Sequence, residues 1–361
     1  MIVIIGAGPV GCFLGGLLAK AGKDVSIYEE DKEIGKPVQC TGIVTEELNK
    51  LIRLDKEFVV NKVKKVRVYS KNNKVEIPIN DIVIDREKFD KYLAKKAKEY
   101  GAKIHLQHKF LGIRGKKAVL ADKNNKIKAV EAEYIIGADG PLSDVAKSNN
   151  MFRKKDFYLG MQARIKGEYD TDIYEVYFGS VCKDFFAWIL PESDKIARIG
   201  VASKKDTRAI FKNFLKIKNI KEGDIIDYQA GLIPIYNKKT IINRKNVYLV
   251  GDAAGQVKAT TGGGLVPGLK AAKRLADCLI NNGNYEKSLR KINKGLGLHL
   301  RIRKTLDKFS DKDYNKLIRL MRDKKIKKVL NKHNRDNPKK LVFKTILAKP
   351  SLLLYIKNFI K

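Results

Sequence analysis

The stretch Ile2-Val3-Ile4-Ile5-Gly6-Ala7-Gly8-Pro9-Val10-Gly11 decides the fold of this chain. Its β-branched run predicts a buried parallel strand, and the glycines that follow predict a turn that opens a helix reaching about Lys20. Val25 to Glu29 predicts a second strand. The first 30 residues therefore form one β-α-β unit.

The glycine spacing in that unit is typical of a dinucleotide site. Gly6 permits a tight turn, Gly8 lets the backbone approach a pyrophosphate, and Gly11 lets the helix pack close to the strand. The helix that begins near Pro9 then offers free N–H groups to the phosphates. Glu29, at the end of the second strand, would accept hydrogen bonds from ribose hydroxyls. The motif alone does not separate NAD from FAD.

Two later segments distinguish FAD from NAD. Residues 136–143 (Ile-Gly-Ala-Asp-Gly-Pro-Leu-Ser) and 250–255 (Val-Gly-Asp-Ala-Ala-Gly) resemble the paired marks of flavoprotein hydroxylases and their relatives. The resemblance implies FAD, with Asp139 and Asp252 in the cofactor site and Asp252 on the ribitol chain. It also implies that the loop at 262–264 faces the flavin ring, where the N-terminus of the next helix stabilises negative charge.

Within that superfamily, the chain resembles the geranylgeranyl reductase family over roughly residues 1–285. Three runs carry the resemblance: Pro-Val-Gln-Cys-Thr-Gly at 37–42, Asp-Arg-Glu-Lys-Phe-Asp at 85–90, and the Gly-Asp-Ala-Ala-Gly and Thr-Gly-Gly-Gly runs within 251–264. The residues that this match adds to the FAD site are Cys40, Thr41, Arg86, Gly263, Gly264 and Leu265.

The resemblance implies an FAD-dependent oxidoreductase that saturates carbon–carbon double bonds of isoprenoid lipid chains by hydride transfer from reduced flavin. Cys40 is the candidate proton donor or positioning group, and its alternative role is that of a small apolar filler. The family often shows Tyr-x-Trp-x-Phe-Pro in its substrate sheet, whereas residues 186–191 keep only Trp188 and Pro191. Trp188 is therefore a candidate for the substrate pocket or for plain core packing. A flavin monooxygenase or halogenase is the alternative on the same fold.

The pattern of elements predicts an α/β fold with three parts. Residues 1–150 and 230–285 form a discontinuous Rossmann-like FAD-binding domain. Residues 151–229 form an inserted antiparallel-sheet substrate domain, because β-type residues alternate between 157 and 203. Residues 286–361 form a basic helical C-terminal region, whose last 61 residues contain 20 Lys or Arg and 5 Asp.

The composition suggests several classes of binding partner but does not identify one. The net charge of +35 suits a membrane surface, an anionic substrate, an acidic ferredoxin or nucleic acid, and it also suits a basic proteome with no partner at all. An RNA-acting flavoprotein remains a minor alternative because no RNA-binding signature is present. The absence of a second glycine motif leaves ferredoxin and transient NAD(P)H open as electron donors.

The four cysteines make no C-x-x-C pair, and the sequence therefore predicts no disulfide framework and no metal site. A reducing, cytoplasmic setting follows. The uncharged residues 1–19 contain too many turn-forming glycines for a membrane helix. Residues 352–361 mix bulky apolar residues with lysines, a pattern typical of an interfacial helix or of one packed on the protein body.

Overall fold

The computed structural model describes residues 1–152, 156–332, 336 and 338–349. Residues 352–361, for which the sequence predicted either an interfacial helix or a helix packed on the protein body, lie outside these residues. The strands are β1 (Ile2–Ile5), β2 (Val25–Tyr28), β3 (Ile43–Thr45), β4 (Val59–Tyr69), β5 (Lys74–Ile84), β6 (Lys103–His105), β7 (Lys109–Arg114), β8 (Lys117–Ala121), β9 (Ile127–Glu131), β10 (Tyr134–Gly137), β11 (Phe157–Lys166), β12 (Ile173–Gly179), β13 (Cys182–Pro191), β14 (Ile196–Ser203), β15 (Ile225–Pro234), β16 (Asn243–Arg244) and β17 (Val247–Leu249).

The helices are α1 (Pro9–Lys20), α2 (Arg86–Glu99), α3 (Asp144–Ser148), α4 (Thr207–Ile217), α5 (Leu265–Ile280), α6 (Tyr285–Ser288), α7 (Arg290–Leu306), α8 (Asp311–Met321), α9 (Lys324–Lys332) and α10 (Pro338–Ala348). Short 3-10 helices lie at Glu46–Lys50, Glu222–Asp224 and Gly251–Ala254.

The chain divides into two compact units. The first unit comprises Met1–Val38, Asp85–Phe157 and Ile233–Gly297. Its main sheet has the strand order β16-β17-β10-β1-β2-β6, in which β17, β10, β1, β2 and β6 are parallel neighbours and β16 is antiparallel. The residues of β1 are all buried, as its β-branched run predicted, and the residues of β2 are all buried too.

Helices α1 and α2 pack in the first unit through small residues. A Cβ on Gly16 would lie 3.3 Å from Ala97 Cα, so the two backbones approach closely. The α2 helix begins at Arg86, where the Asp85 carboxylate accepts a hydrogen bond from the Lys88 amide at 3.1 Å. Its buried residues include Phe89, Leu93 and Ala97, which recur every four residues and so share one face of the helix.

The second unit comprises Gln39–Ile84, Tyr158–Leu232 and Leu298–Lys361. Its sheet has the order β15-β11-β14-β13-β12-β4-β5-β3. The pairs β11–β14, β14–β13, β13–β12, β4–β5 and β5–β3 are antiparallel, and β12 runs parallel to β4.

This division differs from the expected boundaries in two respects. Residues 39–84 group with the second unit because β4 pairs with β12 over Lys65–Tyr69, which extends the expected inserted sheet to eight strands and adds one parallel pair. Residues 298–361 also group with the second unit rather than forming a separate region. In that unit α8 places Ile318 against Val68, Val75 and Ile77 of the long hairpin.

Candidate functional site

The turn between β1 and α1 is shaped by three glycines with different constraints. Gly6 has φ +100°, and a Cβ there would lie 2.5 Å from the Ala138 carbonyl oxygen. A Cβ on Gly11 would lie 2.1 Å from the Gly6 carbonyl oxygen, whereas a Cβ on Gly8 would meet nothing within 4 Å. Packing therefore requires glycine at 6 and 11. The open space at Gly8, just before Pro9 starts the helix, leaves room for a ligand to approach the backbone.

Glu29 closes this turn from the second strand. Its carboxylate accepts hydrogen bonds from the Ala7 amide at 2.7 Å and the Asp31 amide at 3.1 Å. Burial raises the pKa of Glu29, and these two hydrogen bonds oppose that shift. A carboxylate has about four lone-pair sites, so Glu29 keeps accepting capacity for ligand hydroxyls while it holds the loop.

Asp139 follows β10, next to the glycine turn. Its Oδ2 accepts a hydrogen bond from the Val145 amide at 3.0 Å, at the start of α3. Its Oδ1 is buried and makes no hydrogen bond within the described residues, and burial raises the pKa of the group. A buried carboxylate oxygen without a donor is costly, so a ligand donor here would relieve a penalty.

Asp252 lies where β17 ends, on the short 3-10 helix Gly251–Ala254. A Cβ on Gly264 would lie 2.8 Å from Asp252 Oδ1, so this carboxylate lies against the residue that caps α5. The helix then runs from Leu265, after a loop in which the Lys258 amide donates to the Gly263 carbonyl. The free N–H groups of a helix N-terminus favour negative charge at this point.

A buried polar chain beneath Asp252 was not predicted from the sequence. Gln256 Oε1 accepts a hydrogen bond from the Gly251 amide at 2.7 Å, and Gln256 Nε2 donates to the Tyr285 hydroxyl at 3.3 Å. That hydroxyl donates in turn to the Leu249 carbonyl at 3.3 Å. The chain fixes the Gly251–Asp252 turn, which has φ +69° at Gly251. The available sequence signal was the Gln that lies five residues after Gly251.

Arg86 lies at the first turn of α2 and is already engaged within the first unit. Its Nε and Nη2 donate to the two oxygens of Asp90 at 3.1 and 2.9 Å. Burial raises the pKa of Asp90, and Arg86 opposes that effect. This pair orients the guanidinium, and the predicted contact of Arg86 with FAD remains a prediction.

Cys40, Thr41 and Trp188 belong to the second unit. Cys40 is half-buried, and its Sγ accepts a hydrogen bond from the Gly42 amide at 3.4 Å. Gly42 has φ +74°, and a Cβ there would lie 2.3 Å from the Ile84 carbonyl oxygen. The Cys40–Gly42 turn is therefore a packed element of this unit, and glycine is required at its end.

The buried ion pair of Arg198 and Glu192 holds the Cys40–Gly42 turn in place. The guanidinium of Arg198 donates through Nη1 to the carbonyl oxygens of Thr41 and Ile84, and through Nε to Glu192. Glu192 also accepts from Arg164 at 3.0 Å. Burial raises the pKa of Glu192, but Arg198 and Arg164 outweigh burial, so the pKa lies below its ordinary value. No sequence pattern indicated a role for any of these three residues.

Trp188 is 6% exposed and lies on β13. Its indole Nε1 donates to Gln162 Oε1 at 3.3 Å, and the Thr41 hydroxyl donates to the same oxygen at 2.9 Å. Thr41 and Trp188, both predicted site residues, are therefore joined through Gln162, which no sequence pattern predicted. No sequence pattern indicated Gln162, because its contacts depend on which strands pair.

Other ligand classes receive no support from the described part of the chain. It contains no group of three or more His, Cys, Asp or Glu side chains arranged to hold a metal ion. The four cysteines are free thiols. None of the helices in the described ranges combines the length and the apolar character needed to cross a bilayer.

Four features of the first unit fit FAD: the parallel sheet, the glycine turn with open space at Gly8, the Asp139 oxygen without a hydrogen bond, and the packing of Asp252 against the start of α5. Together they define a flavin-dependent oxidoreductase. Residues 1–158 match the FAD binding domain model. The chain is 28% identical to digeranylgeranylglycerophospholipid reductase 3 of Methanosphaera stadtmanae, over 92% of this chain and 93% of the relative. It is 30% identical to an uncharacterized protein of Methanocaldococcus jannaschii, over 92% and 90% of the two chains.

Among solved structures, a geranylgeranyl bacteriochlorophyll reductase-like protein from Thermoplasma acidophilum superposes with a TM-score of 0.80 at 25% identity. The superposition covers 99% of this chain and 98% of the other. The chain is an FAD-dependent oxidoreductase of the geranylgeranyl reductase type, and its cofactor is FAD. A flavin-dependent brominase shares the fold at a TM-score of 0.68 and 17% identity, over 91% and 93% of the two chains.

Proposed function

We propose that this protein reduces carbon–carbon double bonds in the isoprenoid chains of polar lipids. The observation that carries the proposal is the nearly full-length similarity to a digeranylgeranylglycerophospholipid reductase, together with a first unit whose loops fit FAD. The more distant halogenase neighbours share the fold alone. The proposed type of lipid chain, geranylgeranyl, is taken from the name of the Methanosphaera stadtmanae reductase.

The work of the first unit is to bind and orient the cofactor. In this proposal Gly8 and Pro9 receive the pyrophosphate and Glu29 the adenosine ribose, while Asp252 holds the ribitol chain. Gly263, Gly264 and Leu265 would then face the ring, where the α5 N-terminus favours negative charge. Bound FAD, once reduced, supplies hydride to one carbon of the alkene.

The second carbon needs a proton, and Cys40 is the candidate donor at Sγ. The hydrogen bond from the Gly42 amide to Sγ holds the thiol in place and leaves its own proton available. A role as small apolar filler beside the cofactor predicts no loss when serine replaces Cys40. A role as acid or positioning group predicts slower reduction with FAD affinity retained.

The apolar sheet of the second unit supplies a wall for a lipid chain. Trp188 and Phe186 lie on β13 with ring centroids 5.9 Å apart, and both are buried. Aromatic side chains contribute large apolar area at a fixed geometry, which suits an extended hydrocarbon. Trp188 is therefore proposed as a residue of the substrate pocket.

Contact with the membrane surface is part of this proposal. Phe343 and Leu347 of α10 are 61% and 57% exposed, and they lie one turn apart on the same side of the helix. Lys339, Lys340 and Lys344 are exposed beside them. Bulky apolar residues flanked by lysines suit the headgroup region of an anionic bilayer. The electron donor, ferredoxin or NAD(P)H, stays open.

The test is an anaerobic assay of dithionite-reduced protein with geranylgeranyl diphosphate and with an unsaturated archaeal-type ether lipid. We expect products heavier by about two mass units for each bond reduced, since each reduction adds one hydride and one proton. Cys40→Ser is compared with Cys278→Ser, a buried thiol on α5. No mass gain on either lipid, with oxygenated or halogenated products in air, would instead assign the protein to the monooxygenase or halogenase class.

A further inference from the structure

The eight-stranded sheet of the second unit ends in two very different edge strands. At one end lies β3, which has three residues, and at the other lies β15, which has ten. Short edge strands and edge lysines both keep a sheet from pairing with another chain. β15 has neither protection, because residues 225–234 contain no Lys or Arg in a chain that has 75 of them among 361 residues. Its edge is therefore suited to pairing with another strand.

Two contacts show how β15 lies against its neighbour β11. The Arg164 guanidinium donates to the Asp227 carboxylate at 3.2 Å, and the Ile235 amide donates to the Asp156 carbonyl at 2.9 Å. These contacts are separated by the same number of residues on both strands, so the strands are antiparallel and in register. Since the Ile235 amide points to β11, the alternation along an antiparallel strand turns the backbone groups of the even-numbered residues of β15 outward.

The residues with outward backbone groups also carry the exposed side chains of β15. Ile226 and Tyr228 are 39% and 58% exposed, and Ala230 is exposed as well. Successive side chains of a strand alternate between faces, so Asp227 and Gln229 lie on the other face. There the Gln229 Nε2 donates to the Asp227 carboxylate at 3.1 Å. The outer edge of β15 therefore combines backbone donors and acceptors with an apolar row of side chains.

A second copy of this chain suits the edge better than an acidic protein does. The net charge of +35 makes two copies repel each other, so they approach closely only where basic side chains are missing. An acidic protein would instead be attracted to lysine-rich surfaces. It would gain little from a strand whose one charged side chain is Asp227.

We propose that two copies of the protein pair antiparallel through β15, with the two-fold axis at Tyr228. In this register the two copies of Tyr228 exchange backbone hydrogen bonds, and Ile226 lies opposite Ala230 of the second copy. Asp227 lies opposite Gln229 of the second copy, whose side-chain amide is a donor. An axis at Asp227 would place two carboxylates opposite each other, which is unfavourable. The pairing joins the two eight-stranded sheets into one.

Sedimentation velocity of the full-length protein over a range of concentrations tests the pairing. We expect a dimer that dissociates on dilution and that salt strengthens, because salt screens the repulsion between two copies of charge +35. Tyr228→Lys places like charges opposite each other at the axis and should give a monomer. Ile127→Lys is the matched control, because Ile127 is 63% exposed on β9, the edge strand of the three-stranded sheet. The control should remain dimeric.

Disulfide cross-linking tests the register. Tyr228→Cys should form a disulfide between two identical copies on mild oxidation, because opposite residues of a hydrogen-bonded antiparallel pair have Cα atoms about 5.5 Å apart. Ala230→Cys should not cross-link alone, but it should do so when mixed with Ile226→Cys. The wild-type protein, with four free cysteines, gives the background.

A wild-type protein that stays monomeric at every concentration and salt level would overturn the proposal. A dimer that survives Tyr228→Lys would do so as well, as would a Tyr228→Cys protein that cross-links no more than wild type. None of these measurements involves FAD or a lipid. Their outcome is therefore independent of the proposed reaction.

Discussion

Two turns of this protein carry predicted cofactor residues, and they are held in different ways. The Gly6–Gly11 turn is shaped by backbone contacts, because glycine has no Cβ. A Cβ on Gly6 or Gly11 would lie only 2.5 or 2.1 Å from a backbone carbonyl oxygen. The Cys40–Gly42 turn is held by long side chains, Arg198 on its carbonyl and Gln162 on its hydroxyl. The first kind of turn is encoded locally, whereas the second depends on residues more than 100 positions away.

The largest effect is expected from Gly11→Ala in the backbone-shaped turn. Its Cβ would lie 2.1 Å from the Gly6 carbonyl oxygen, so helix α1 would have to shift, and FAD binding should be lost. Flavin absorbance of the purified protein reads the outcome. Gly8→Ala is the matched control, because its Cβ meets nothing within 4 Å. Gly8→Ala should fold normally and weaken only the binding of FAD. A Gly11→Ala protein that purifies yellow would refute the packing argument.

Glu192→Gln probes the side-chain-held turn. It leaves the buried Arg198 without its charged partner, and we expect a loss of about 3 kcal/mol in the free energy of unfolding near neutral pH. The pKa of Glu192 is lowered in the folded state, so its stabilising effect is present above the ordinary value of 4.5 and is lost as pH falls. Denaturant curves at several pH values should therefore show variant and wild type converging in acid. A gap that is constant with pH contradicts this account.

Asp252→Ala tests the corner where β17 meets α5. Losing a charge-assisted hydrogen bond costs about 1.5–3 kcal/mol, so FAD affinity should fall more than about tenfold. Asp277→Ala removes an exposed carboxylate from the last turns of α5 and serves as the control. Equal FAD affinities of the two variants, measured by titration of flavin fluorescence, would remove Asp252 from the ribitol site.

The smallest effect is expected from Tyr285→Phe, which interrupts the chain beneath Asp252. The variant keeps the ring and loses the hydroxyl that joins Gln256 to the Leu249 carbonyl. We expect the free energy of unfolding to fall by about 1 kcal/mol, with FAD affinity reduced less than in Asp252→Ala. Thermal unfolding with and without FAD measures both quantities. A larger loss of FAD affinity than in Asp252→Ala would place Tyr285 in the site itself.

The sequence by itself determined the first unit's core and its cofactor class. The β1–α1–β2 boundaries, the α2 and α5 helices and the sites of Glu29 and Asp252 follow from short patterns, because each motif specifies a local backbone geometry. FAD and the family followed from three such motifs. These features need no knowledge of which distant strands pair.

The tertiary structure alone decided how the second unit is built. The parallel pairing of β12 with β4 brought residues 39–84 into its sheet, and the β11–β14–β13 register placed Gln162 and Trp188 on either side of Gly200. A sequence pattern gives the period of a strand but neither its neighbour nor its register. Arg198, Glu192 and Gln162 acquire their roles from that register, because hydrogen-bond partners across a sheet are set by which residues the pairing brings together.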